Sequence, residues 1–188
     1  MLPELHTDVR RYWSSERKQR GLHRRPLASV TLTHASGPTP TTSLVLDYGV
    51  WEVKDYAKKV ADLFTSGQTP GKTIIFDEGG TGKTTFAIVL NYGLAKRDGC
   101  VPLHLSLASW SPRDEAFPEW HERQVVTTFP RLRELLPTPE SLLREFLISD
   151  EVFLILDGLD ELRDGQAQDT ALEEIDKSID DDMPPSCC

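Results

Sequence analysis

Apolar residues along this chain follow two rhythms, spacings of three and four residues in some stretches and short unbroken runs in others. The first rhythm predicts helices and the second predicts strands. Leu2, Leu5, Val9, Tyr12 and Trp13 share one helical face, so residues 3–20 are expected to form an amphipathic helix that stops at Gly21. Val53, Ala57, Val60 and Phe64 give a second helix, closed by Ser66-Gly67 and Pro70. Short apolar-rich segments lie at 72–76, 101–107 and 152–156, the length of strands buried in a parallel sheet. Between them, helices are expected over 83–97, stopped by Asp98-Gly99, and over 118–128, ending before Pro130. Residues 132–136 suit a short helical piece. Thr138-Pro139-Glu140 opens another helix with a cap residue and Pro in its first turn, and 168–179 is a polar helix. Residues 27–32 form a strand or an extended segment. Residues 34–43, rich in Ser, Thr, Gly and Pro, read as a loop or linker. Alternating strands and helices from residue 72 onward indicate an α/β fold with a mostly parallel sheet. There is no internal repeat.

The chain has 188 residues, enough for one domain with a real core and an N-terminal extension. Its hydrophobic content, 38%, is below the usual range, and the shortfall lies mainly in the two ends. The expected division is therefore 1–44, a helix and linker, and 45–188, the α/β part. No apolar run approaches the 18 residues of a membrane helix, and the N-terminus has no apolar signal core. A cytoplasmic protein with no membrane partner is expected. Three cysteines, two of them adjacent at the end of the chain, make no disulfide framework, and Cys100 reads as an ordinary buried or loop thiol.

Charge changes the picture at both ends. Residues 157–182 hold eleven acids and two bases, as much as the whole net charge of −9. That acidic stretch argues against nucleic acid as a partner. Residues 1–25 carry seven Lys or Arg against three acids, best read as a solvated helix face.

The candidate chemistry lies behind the first apolar run. Thr73-Ile74-Ile75-Phe76 is followed by Asp77-Glu78-Gly79-Gly80-Thr81-Gly82-Lys83-Thr84-Thr85, and then by a helix-compatible segment. Strand, glycine loop with Gly-Lys-Thr, helix is the context that makes a phosphate-binding loop credible. Gly79, Gly80 and Gly82 let backbone N–H groups turn inward around phosphate oxygens, with Thr81 and Thr85 in the same cradle. The helix that follows adds the positive end of its dipole. Lys83 would reach the β- and γ-phosphates, and the Thr84 hydroxyl would ligate Mg²⁺. The pattern asks for Gly at position 77, where this chain has Asp.

A second segment complements the first. The run 152–156 ends in Asp157-Gly158-Leu159-Asp160-Glu161. A carboxylate at the C-terminal end of such a strand is where phosphate-loop enzymes place a second Mg²⁺ contact, and Asp157 suits it. Asp160 and Glu161, beyond a glycine turn, would orient an attacking water.

Together these segments resemble the NACHT group of STAND-class P-loop NTPases, in its bacterial multidomain form. Residues 77–85 carry the resemblance as Walker A. Val101-Pro102-Leu103-His104-Leu105-Ser106-Leu107, with Ser109-Trp110, carries it as the next strand. Leu156-Asp157-Gly158-Leu159-Asp160-Glu161-Leu162 matches the group's specific form of Walker B. Tyr12-Trp13-Ser14-Ser15-Glu16-Arg17 and Gly21-Leu22-His23 look, more loosely, like its lead-in helix. The resemblance implies a P-loop NTPase three-layer sandwich. It also implies a signalling switch that binds ATP (or GTP) with Mg²⁺, hydrolyses it through Asp160 or Glu161, and works through self-association or a regulatory protein partner. The class orders its core sheet 5-1-4-3-2. Residues 180–188 have no apolar run, so strands four and five are expected to be missing and the sheet incomplete at its C-terminal side.

Other readings of the same residues stay open. The chain could be a truncated, nonhydrolysing protein-interaction module that retains the P-loop pattern. A small-molecule kinase shares the loop but fits Asp-Gly-Leu-Asp-Glu-Leu less well. His104 and His121 lack paired metal-ligand spacing and read as satisfied structural histidines. Trp110 and Trp120 read as packing anchors.

Overall fold

Leu5, Val9 and Trp13, each four residues after the last, form the buried stripe of the first helix, α1 (Pro3–Gln19). It closes as its composition predicts. Gly21 takes φ +68°, its N–H donates to the Lys18 carbonyl, and the Leu22 N–H donates to the Arg17 carbonyl. This pairing satisfies carbonyls that a helix end otherwise leaves unpaired. The computed structural model describes residues 3–22, 31–34, 42–45, 53–66, 73, 75, 82–130, 146, 147, 149, 151–162 and 165–182.

Among the described residues the chain is a mixed α/β protein. Its other α-helices are α2 (Val53–Thr65), α3 (Lys83–Leu94), α4 (Phe117–Thr128) and α5 (Gly165–Asp182). Phe146 and Leu147 are helical as well. Strands β1 (Thr31–His34) and β2 (Thr42–Val45) pair antiparallel. Strands β3 (Val101–Ser106) and β4 (Val152–Asp157) pair parallel. No described helix is long and apolar enough to cross a membrane.

The chain divides into two compact units, Met1–Arg10 with Ala95–Cys188, and Arg11–Leu94. In the second of these, α2 packs on α3. Val53, Tyr56, Ala57, Val60 and Ala61 recur at helical spacing as the buried face of α2. Every residue of α3 from Phe86 to Leu94 is buried, so this helix is enclosed on all sides rather than on one stripe. The Arg17 guanidinium lies over the Tyr92 ring, 4.4 Å from its centroid. The β1–β2 pair belongs to this unit too and trims the reading of 34–43 as loop or linker at its two ends, while 35–41 lie outside the described residues. His34 is the last residue of β1, and Thr42 and Ser43 open β2. Threonine, being β-branched, suits a strand as well as a loop, and it occupies three of the eight paired positions. The boundary expected after residue 44 falls inside β2.

In the other unit, β3 has its core face at Val101, Leu103 and Leu105, all nearly inaccessible, and α4 packs on it. Helix α4 starts with Pro118 in its first turn and ends where the Phe129 N–H donates to the Val125 carbonyl, just ahead of Pro130. Trp110 stacks on Trp120 at 5.5 Å, and Phe117 meets Trp110 edge-on at 5.3 Å. The Trp110 indole donates to the Glu115 carbonyl and the Trp120 indole to Ser109 Oγ. Both tryptophans are therefore packing anchors with satisfied N–H groups, as expected. Helix α5 runs longer than the expected 168–179 because its polar ends continue the same turn pattern, and it packs on α4. Helix α3 stops at Leu94, short of the expected 97, and its chain passes through turns to Gly99. Arg10 covers that exit. Its Nε donates to the Ala95 carbonyl at 2.7 Å, and its Nη2 reaches the Lys96 carbonyl and Asp98 Oδ1.

The strand expected at 72–76 lies outside the described residues except for Thr73 and Ile75, which stand in no regular element. The helices expected at 132–136 and from 138 also lie outside them.

Candidate functional site

The described part of the glycine loop is its last four residues. Gly82 takes φ +101°, a conformation that residues with a Cβ rarely adopt, and it is exposed. Helix α3 begins at the next residue, and its first turn is tied by the Phe86 N–H donating to the Gly82 carbonyl at 2.9 Å. The first turn of a helix points backbone N–H groups outward along the axis, at the positive end of the dipole. In α3 that turn is Lys83-Thr84-Thr85, with Thr84 exposed and Lys83 and Thr85 half-buried. Gly79, Gly80 and Thr81, together with Asp77 and Glu78, lie outside the described residues.

The acidic half lies at the C-terminal ends of the parallel pair. The register sets Leu103 against Leu154, His104 against Ile155 and Ser106 against Asp157. Alternate residues share a face, so His104, Ser106, Ile155 and Asp157 lie on one side of the pair, opposite Leu103 and Leu105. Exposure on that side increases toward the C-terminal end, from buried Pro102 through half-buried His104 to exposed Ser106. This is the edge at which ligands of open α/β sheets sit. His104 Nε2 lies 3.4 Å from Asp157 Oδ2, with their side chains 13% and 24% exposed.

Both strands then turn the same way. Leu107–Ser109 forms a 3-10 turn after β3, and Leu159–Glu161 forms another after β4. The two turns touch. Gly158 makes the second possible. It takes φ +85°, and a Cβ there would come within 3.2 Å of Glu161 Oε2. The Glu161 side chain thus folds back over the residue that follows Asp157, although Glu161 and Asp160 are both exposed.

The structure therefore gathers Asp157, Gly158 and Glu161 at one strand end and adds His104, which the sequence reading set aside as a structural histidine. The signal for it lies in the strand register rather than in the order of residues. Two parallel strands ending at the same level bring a residue two positions before one end diagonally opposite the other end. His121 differs from expectation as well. It is buried against Phe117, ring centroids 5.5 Å apart, and its Nε2 has no hydrogen-bond partner among the described residues. Burial pushes its pKa down to about 4. Burial likewise pushes the Cys100 thiol up to about 11, so it is no nucleophile at neutral pH.

Gly82, Lys83, Thr84 and Thr85 belong to the Arg11–Leu94 unit, and Asp157, Asp160 and Glu161 to the other. Asp157 and Thr84, each within its own unit, carry oxygen donors of the kind that Mg²⁺ takes. That ion keeps several waters and takes one or two protein oxygens beside the phosphates, so it needs no cage of protein ligands. A half-exposed carboxylate and an exposed threonine hydroxyl are such donors. Among the described residues no three His, Cys, Asp or Glu side chains cluster as a metal site.

No family model matches the chain, and no curated protein and no solved structure matches it either.

Proposed function

We propose that this chain binds a nucleoside triphosphate, ATP or GTP, with Mg²⁺, and serves as a P-loop switch of the NACHT type. The observation that carries the proposal is the start of α3. Its first residues are Lys83 and Thr84, and the residue ahead of them, Gly82, has a backbone that favours glycine. A glycine turn running directly into a helix N-terminus is what the sequence motif requires for phosphate. The parallel β3–β4 pair supports the same reading, since the class places its second strand beside the Walker B strand. In this reading Gly79, Gly80, Thr81, Gly82 and Thr85 cradle the phosphates and Lys83 offsets their charge. Thr84 and Asp157 hold Mg²⁺, and Asp160 or Glu161 orients water. Mg²⁺ held by Thr84 and Asp157 would supply positive charge against the charge that develops on the phosphates. A P-loop NTPase three-layer sandwich with a mostly parallel sheet, and a self-associating or regulatory protein partner, belong to the same proposal.

Calorimetry with ATP and with GTP, in Mg²⁺, tests it. Lys83→Ala removes a charge-assisted contact worth roughly 1.5–3 kcal/mol. Affinity should fall on the order of tenfold or more. Equal binding by wild type and Lys83→Ala would sink the assignment.

One observation favours the second reading, a nonhydrolysing interaction module. Phe153, Leu154, Ile155 and Leu156 of β4 are each half-buried, where a central parallel strand is enclosed on both faces. Nucleotide affinity absent from the wild-type chain, with a stable fold, selects that reading.

A further inference from the structure

We infer that His104 is the positioning residue for the Asp157 carboxylate and thereby sets the affinity of the nucleotide complex for Mg²⁺. The inference rests on the nucleotide reading above. It starts from a geometric fact about the parallel pair. Because His104 stands opposite Ile155, it lies diagonally across from Asp157 on the same face. An imidazole is long enough to span that diagonal, and His104 Nε2 comes to 3.4 Å from Asp157 Oδ2.

Among the described residues, His104 is the side chain that reaches Asp157. It is the last residue of β4 and is followed directly by Gly158, whose left-handed backbone turns the chain away. A carboxylate at a strand end, half-exposed and next to a glycine, can rotate among several rotamers. Freezing it on metal binding then costs conformational entropy. A donor held within reach of one carboxylate oxygen, able to close to a hydrogen bond by a small rotation, removes part of that cost and leaves the other oxygen for the ion. Partners of this kind, which touch the ligand rather than the metal, commonly change metal affinity by 10- to 100-fold.

His104 is well placed for such a role. It projects from β3, whose neighbours Leu103 and Leu105 are 0% and 2% exposed and anchor the strand in the core. Its own side chain is 13% exposed, so the ring is confined by its surroundings. The contact requires a proton on Nε2, leaving Nδ1 as the acceptor of the neutral ring. Neutral imidazole is sufficient, and no change of protonation is involved.

The test uses the full chain with ATP as probe, titrated with Mg²⁺ and, separately, in excess EDTA. His104→Ala should raise the Mg²⁺ concentration needed for tight ATP binding by about tenfold or more, with the affinity in EDTA unchanged. His104→Gln, which keeps a side-chain N–H donor, should restore most of the Mg²⁺ response. In an Asp157→Asn background, His104→Ala should have no further effect on it. A nitrogen-15 spectrum of the metal-free protein should show His104 protonated at Nε2. An unchanged Mg²⁺ midpoint in His104→Ala, or a ring protonated at Nδ1, overturns the positioning role while leaving the nucleotide reading intact. A wild-type chain that binds ATP in neither condition overturns both.

Discussion

Gly93 of α3 lies directly against the backbone of Ala57 in α2. A Cβ built on Gly93 would sit 2.8 Å from the Ala57 carbonyl carbon, closer still to its oxygen, and 3.0 Å from the Ala61 Cβ. The two helices can approach this closely only because residue 93 has no side chain. Alanine is the better helix former by about 1 kcal/mol, so propensity alone would make Gly93→Ala stabilising. Steric overlap with a backbone that cannot rotate aside has the opposite sign, and overpacking typically costs about 1–3 kcal/mol. The overlap should win. Urea denaturation should show Gly93→Ala less stable by about 2 kcal/mol, whereas an unchanged or raised midpoint would mean the helices separate without cost.

The Arg10 contacts make a second prediction. One guanidinium serves the Ala95 and Lys96 carbonyls and Asp98 at once, just past the C-terminal end of α3. Carbonyls at a helix exit favour a cation nearby. The ion pair with Asp98 is solvent-exposed and adds little; the half-buried bond to the Ala95 carbonyl carries most of the effect. Arg10→Ala should cost about 1 kcal/mol. Arg10→Lys should recover only part of it, because an ammonium lacks the planar fork that reaches several acceptors together. Full recovery with lysine, measured by thermal unfolding, would show that charge alone matters.

These two contacts also mark what was legible in the sequence. Periodicity located α1 and α2, Pro130 bounded α4, and apolar-rich segments located β3 and β4, because burial of a face leaves a direct imprint on residue order. The glycine turn at Gly158 was legible for a similar local reason. The Gly93–Ala57 approach, the Arg10 clamp and the His104–Asp157 contact were not. Each joins residues far apart in sequence, at 36, 85 and 53 positions respectively, and neither partner has a composition that betrays the other. Only the ends of the 34–43 reading shifted, since a Ser/Thr-rich stretch suits a loop and a strand alike. Of the candidate site, the sequence supplied the acids and the loop, and only the strand register could supply the histidine.

The position of Glu161 over Gly158 distinguishes the two candidate acids beyond β4. Its carboxylate lies next to the residue that follows Asp157. If the chain hydrolyses ATP, Glu161→Gln should lower phosphate release by about a hundredfold or more, the usual worth of a positioned base, while ATP binding survives. Asp160→Asn should do less. Gly158→Ala forces a Cβ into a left-handed backbone and against Glu161, so it should lower stability by about 1 kcal/mol and disturb the same step. Equal turnover in all three variants would show that neither acid is catalytic.

His121 makes the stability of the fold depend on pH in a predictable direction. It is buried in α4 against Phe117, with its Nε2 lacking a hydrogen-bond partner among the described residues, and burial lowers its pKa to about 4. In the unfolded chain the ring titrates near 6.5. Between those values the unfolded state binds a proton that the folded state does not, so stability falls as pH falls. The contribution is fully present above pH 6.5 and is lost progressively down to pH 4, a total of about 3 kcal/mol. Acidic groups titrate over part of the same range, so the wild type alone cannot isolate the effect. His121→Leu can, because leucine keeps the apolar contact and removes the titrating ring. Urea unfolding at pH 7, 5.5 and 4.5 should show the stability difference between His121→Leu and wild type shifting in favour of the variant as pH falls. A difference that stays constant across the three values would mean that His121 is hydrated or partnered in solution.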